Sequence, residues 1–160
     1  MSSFSIREAT SADAALILRF VRELAIYEKA EHEVMATEDT IRTTIFGPES
    51  QVEALICELD SEPIGHAVYF FNYSTWLAKH GLFLEELYVS PEHRGSGAGK
   101  ALLKHLARIA VDRDCGRFEW NVLDWNEPAI RFYESLGAKP QSEWAGYRMT
   151  GQALLDLAGN

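Results

Sequence analysis

Apolar and polar residues alternate, then cluster, then alternate again along this chain, and the changes of period mark its elements. "FSIREAT" (4 to 10) has the period-two pattern of a half-buried strand. Next, Ile17, Phe20, Val21 and Leu24 recur at i, i+3, i+4 and i+7, the stripe of a buried helix face, with Ser11 placed as its N-cap. One further turn of that stripe falls on Tyr27 and Glu28, so a carboxylate stands where an apolar residue is expected. Either the helix ends there and Glu28 is solvated, or Glu28 faces a polar pocket. A second helix is predicted from about Thr37 through "TEDTIRTTIFG", stopped by Gly47-Pro48. "QVEALICELDSEPIGHAVYFFNY" (51 to 73) reads as two strands joined by a turn at "DSEP".

"STWLAKHG" reads as a loop and "LFLEELYV" (82 to 89) as the next strand. A glycine-rich loop, a helix to about Arg113 and a strand "RFEWNVL" (117 to 123) follow. "NEPAIRFYESLG" then has the punctuation of a short helix: Asn126 as N-cap, Pro128 in the first turn where a missing N–H costs nothing, and Gly137 as the stop. Two short strands are predicted at 138 to 141 and 147 to 150. The order β-α-α-β-β-β-α-β-α-β-β gives a mixed sheet with helices on its faces, an α/β or α+β architecture. Residues 1–160 are expected to form a single domain, since this length suits one core and is short for two.

Composition narrows the function classes. The apolar share of 47% and charged share of 24% are those of a folded chain. A formal net charge of −9 argues against wrapping nucleic acid, which needs a basic footprint; either it only keeps the chain soluble, or it favours a cationic small molecule. Cys57 and Cys115 form no CxxC or Cys/His group, and the five histidines show no HxxxH spacing, so neither a disulfide framework nor a metal site is expected. With no basic leader and no run of about 18 apolar residues, a cytoplasmic protein with no membrane partner is expected.

Chemistry concentrates in "VSPEHRGSGAGKALL", where Gly95, Gly97 and Gly99 stand at alternate positions between a strand and a helix. A phosphate loop of the form GxxxxGK[ST] would need glycine at Arg94 and a hydroxyl at Ala101, and a dinucleotide GxGxxG would need glycine at Lys100. What remains is R-x-x-G-x-G. Either this is a flexible strand-to-helix turn with no ligand, or its small residues let backbone N–H groups at a helix start approach an anion such as a pyrophosphate, with Arg94 and Lys100 adding positive charge.

These residues resemble the pyrophosphate loop of the GCN5-related N-acetyltransferases, whose pattern is [QR]-x-x-G-x-[GA]. "LAIYE" (24 to 28), "LEELYV" (84 to 89) and "WNEPAIRFYESLGA" (125 to 138) are similar to the spermidine/spermine and thialysine N-acetyltransferases in particular, across nearly the whole chain. The resemblance implies a mostly antiparallel mixed sheet whose parallel fourth and fifth strands splay, here 82 to 89 and 117 to 123. It also implies acetyl-CoA as acetyl donor, with no metal. Leu87, Tyr88 and Val89 would bond the pantetheine arm, Arg94, Gly95, Ser96, Gly97, Ala98, Gly99 and Lys100 would hold the pyrophosphate, and Asn126, Ala129 and Tyr133 would line the cofactor. Tyr133 would protonate the departing thiolate and Glu85 would help remove the amine's proton. Tyr27, Glu28, Glu85 and Glu119 would receive the amine.

The implied activity is direct transfer of an acetyl group to a primary amine of a small cationic substrate, in a homodimer. A protein lysine or N-terminal acetyltransferase and a catalytically inactive CoA-binding sensor are the alternatives. One departure bears on substrate: polyamine-specific members carry an acidic pair where this chain has Trp144-Ala145, beside Glu143. A short diamine, thialysine or a lysine-like amine therefore stands level with a long polyamine.

Overall fold

A computed structural model describes residues 3–160, in two compact units that meet in sequence between Asn121 and Val122. The larger unit holds one sheet with strands in sequence order: β1 (Phe4–Glu8), β2 (Val52–Leu59), β3 (Glu62–Ser74), β4 (Lys79–Val89) and β5 (Phe118–Trp120). Pairing is antiparallel from β1 to β4 and parallel between β4 and β5. The expected mixed, mostly antiparallel sheet is therefore present. The predicted loop after β3 shrinks to a turn, because Ser74 ends β3 and Lys79 already belongs to β4, extending the hairpin register to Ser74↔Lys79.

Helices α1 (Ala14–Tyr27), α2 (Glu38–Phe46) and α3 (Ala98–Asp112) complete this unit. On one face, Ala14, Ile17 and Leu18 of α1 and Ile41 of α2 pack on Ala54 and Ile56 of β2 and Val68 of β3. Side chains alternate across a strand, so the equally buried Leu55 and Cys57 point to the other face, where α3 brings Leu102 and Leu106. Helices thus cover both faces.

The start of α1 differs from the sequence reading. Ser11 is not the cap: Ser11–Asp13 form a short 3₁₀ turn, and Asp13 precedes α1. The Asp13 carboxylate accepts from the Thr10 N–H at 2.8 Å and from both terminal nitrogens of Arg7 at 2.8 and 2.9 Å. That fork ties β1 to the helix entrance, and the Arg7 hydrogen bonds hold the Asp13 pKa below its ordinary 3.8.

The second unit contains α4 (Glu127–Ser135) and α5 (Gly151–Ala158). The predicted punctuation of α4 is present: Asn126 Oδ1 accepts from the Ala129 N–H at 3.4 Å, and Gly137 follows the helix with φ 97°. The strands predicted at 138 to 141 and 147 to 150 are absent, and α5 was not foreseen. Pro140 removes a ladder donor, and Tyr147 is 97% exposed, so nothing buries either segment against a partner strand within the unit. No described helix is long and apolar enough to cross a membrane, and no described cluster of three or more His, Cys, Asp or Glu residues could hold a metal.

Candidate active site

Three features of the larger unit converge on β4. The first is a bulge. Val68 of β3 pairs with Glu86, but the next residue, Tyr69, pairs with Leu84, so Glu85 is the extra residue on β4. The second is a parting of strands: β5 pairs with β4 only from Leu82↔Phe118 to Leu84↔Trp120. Beyond the bulge, the β5 pairing does not continue along residues 86 to 89 among the described residues. This is the expected splay, and it places Leu87, Tyr88 and Val89 along an open sheet edge. An exposed backbone row of this kind can hydrogen-bond an extended ligand.

The third feature is the glycine loop, which follows β4 directly. Pro91–His93 form a 3₁₀ turn, then Gly95 and Gly97 take φ of 79° and 99°, a conformation that L side chains rarely adopt. Gly97 precedes α3 without a side-chain cap, and the first helical bond is from the Ala101 N–H to Gly97 O, 2.9 Å. The N–H groups of Ala98, Gly99 and Lys100 precede that bond, at the positive end of the helix dipole. A Cβ built at Gly95 or Gly99 would meet nothing within 4 Å, so there is room for a ligand against the backbone. The loop therefore fits the pyrophosphate of a CoA thioester.

The loop is braced from behind. The Ser96 hydroxyl donates to His93 O, and Arg94 Nε donates to Val89 O at 3.0 Å. The Arg94 guanidinium lies over the rings of Tyr27 (5.0 Å) and Tyr88 (5.7 Å), tying the loop to the end of α1. Lys100 is exposed on the first turn of α3.

The carboxylates separate by position. Glu28 terminates α1 and is half-buried; burial, and then the charge of Glu86, push its pKa above the ordinary 4.5. Glu28 is thus not simply solvated: it stands half-buried within the field of a second carboxylate. Glu86 in turn lies against the fully buried His66, with Oε2 at 2.5 Å from Nε2. Glu85 is exposed at the bulge, and Glu119 of β5 pairs with Phe83 and is half-buried. The Tyr88 hydroxyl donates to Glu23 at 2.6 Å, and burial followed by that contact raises its pKa to about 12.

Sequence reasoning did not assign Glu86 or His66 a role. They are diagonal across β3 and β4, because His66 opposes Tyr88 and Glu86 lies two residues earlier. A lone polar residue inside the apolar run of β3 was the available signal. In the second unit, Asn126 caps α4, Ala129 donates to it, and Tyr133 is half-buried on α4 with its ring 5.6 Å from that of Phe132.

A sheet that opens at a bulge and leads into a glycine-rich turn at a helix start is the frame of an acyl-group transferase. The acetyltransferase (GNAT) family matches residues 19–138, and the chain belongs to that family of enzymes. Over 170 residues it is 39% identical to thialysine N-epsilon-acetyltransferase of Sus scrofa, covering 99% of both chains. It is 30% identical to L-ornithine N5-acetyltransferase NATA1 of Arabidopsis thaliana, covering 93% of this chain and 85% of that one. A solved integron cassette protein from the mobile metagenome of V. cholerae superposes with a TM-score of 0.82 at 28% identity over 99% of both chains.

Proposed function

We propose that this N-acetyltransferase moves an acetyl group from acetyl-CoA to a primary amine of a small cationic substrate, by direct transfer in a ternary complex. The observation that carries the reading is the Glu86 carboxylate, 2.5 Å from the buried His66, on the same strand whose open end runs into the glycine loop, with the half-buried Glu28 at the end of α1. The two carboxylates offer a charge match for an ammonium group; the loop offers one for a pyrophosphate. Relatives named for thialysine and ornithine support an acceptor that is an amino acid or short diamine.

The bound donor supplies an activated thioester. An alkylamine with a pKa near 10.4 is almost wholly protonated at neutral pH and must lose a proton before it attacks. Tyr27, Glu28, Glu86 and Glu119 draw the cation in, and Glu85 at the bulge accepts the proton, directly or through water. Backbone N–H groups of the open β4 edge orient the thioester carbonyl and stabilise the charge that builds on its oxygen. Arg94 to Lys100 hold the pyrophosphate, with Asn126 and Ala129 lining the cofactor, and Tyr133 donates a proton to the leaving sulfur.

Release of free CoA tests the proposal, measured with acetyl-CoA and separately putrescine, spermidine, thialysine, ornithine and a lysine peptide. Release with the small amines, above that with the peptide, is expected. Release with the peptide alone would mark a protein acetyltransferase, and binding of acetyl-CoA without release would mark a CoA sensor.

A further inference from the structure

β3 places His66 in the interior of the sheet, between Ile56 of β2 and Tyr88 of β4. The residue has no exposed surface, and the ring of Phe20 from α1 meets the imidazole edge-on at 5.2 Å and 72°. Burying an imidazole is costly unless its nitrogens find partners. Here only one does: Nε2 meets Glu86 at 2.5 Å, whereas Nδ1 has no partner among the described residues.

That asymmetry selects the tautomer. With hydrogen on Nε2, the ring donates to a carboxylate and Nδ1 keeps a bare lone pair. The opposite tautomer would bury an N–H without an acceptor and turn a lone pair towards an acceptor-only group. Packing alone does not call for this residue, since a phenylalanine would occupy similar space without an orphaned nitrogen. The ring's polar contact goes to a half-buried carboxylate on the strand that carries the open edge.

We infer that His66 is a positioning residue of the acceptor site: its Nε2–H holds the Glu86 carboxylate in the orientation in which it receives the substrate's ammonium group together with Glu28. The inference rests on the reading of the chain as an acetyltransferase of small cationic amines. His66 acts through Glu86 and touches no substrate atom. The other charged groups around it are engaged elsewhere. From α1, Arg19 lies over Phe20 at 4.9 Å and Glu23 accepts from Tyr88; from the loop, Arg94 covers Tyr88; β2 presents the apolar Ile56.

The test is a double-mutant cycle in the full chain, with thialysine as the probe and KM for thialysine, KM for acetyl-CoA, kcat and Tm all measured. His66→Phe is expected to raise the thialysine KM about tenfold, the loss of one hydrogen bond to a charged group, with the acetyl-CoA KM unchanged. In a Glu86→Gln background the same substitution is expected to raise the thialysine KM no further. His66→Gln, whose amide N–H falls near the position of Nε2, is expected to recover most of the loss and serves if His66→Phe fails to fold. An unchanged thialysine KM in a folded His66→Phe, an equal rise in both backgrounds, or a His66→Gln as impaired as His66→Phe would overturn the positioning role. Wild-type turnover with thialysine keeps that failure separate from failure of the acceptor reading, which requires that wild type acetylate none of the small amines.

Discussion

Glu28 carries a stability cost at neutral pH that its proposed work explains. Burial and the neighbouring Glu86 raise its pKa, so the folded chain binds that proton more tightly than the unfolded chain does. Stability is therefore greatest with Glu28 protonated and falls as pH rises from the ordinary value of 4.5 through the raised one. Glu28→Gln should melt higher than wild type at neutral pH, with the advantage fading as pH drops below the carboxylate range, and should raise the amine KM. Melting curves that stay parallel at every pH would contradict the coupling. At Tyr133, substitution by Phe should lower kcat by about ten- to a hundredfold while leaving acetyl-CoA affinity near wild type, because a thiolate needs only modest acid help. Equal kcat in the two proteins removes that role. At this scale the sequence revealed residue types better than pairings. The Glu28 anomaly showed in the helical stripe, but the contact of Glu86 with His66 depends on a register broken by the bulge at Glu85, which no periodicity announces.

Elements were legible where local chemistry dictates them and obscure where a partner must. The loop from Arg94 to Lys100 is the first kind. Gly95 and Gly97 at positive φ exclude most other residues, so the turn could be read from spacing alone. Gly97→Ala forces an alanine to φ 99° and should cost about 1–2 kcal/mol of stability while raising the acetyl-CoA KM. Denaturant titration beside kinetics checks both. The clasp of Arg7 on Asp13 shows the opposite case: a residue in β1 decides where α1 begins, and the predicted cap at Ser11 missed it. Since Arg7 lowers the Asp13 pKa, its stabilisation is present above pH 3.8 and lost as pH falls through the depressed value. Asp13→Ala should cost about 1–3 kcal/mol at neutral pH and little at strongly acid pH, read from unfolding midpoints. The missing strands after Gly137 are of the same partner-dependent kind, since β propensity without a neighbouring strand carries little weight.

For the whole molecule, the acidic balance of −9 and the basic-amine reading point the same way, because a negative field concentrates cationic acceptors. The second unit exposes large apolar side chains at Trp144 (66%), Tyr147 (97%) and Leu157 (72%), surface a partner could cover. We propose that a second copy covers part of it. Light scattering should then give about twice the 18.0 kDa chain mass, and a mass of 18.0 kDa at micromolar concentration would remove the dimer. The central claim is direct acetyl transfer to a small amine, and initial rates of CoA release with acetyl-CoA and thialysine varied together test it most directly. Intersecting double-reciprocal lines, with release dependent on the amine, are the predicted result; parallel lines, or CoA release indifferent to thialysine, would contradict it.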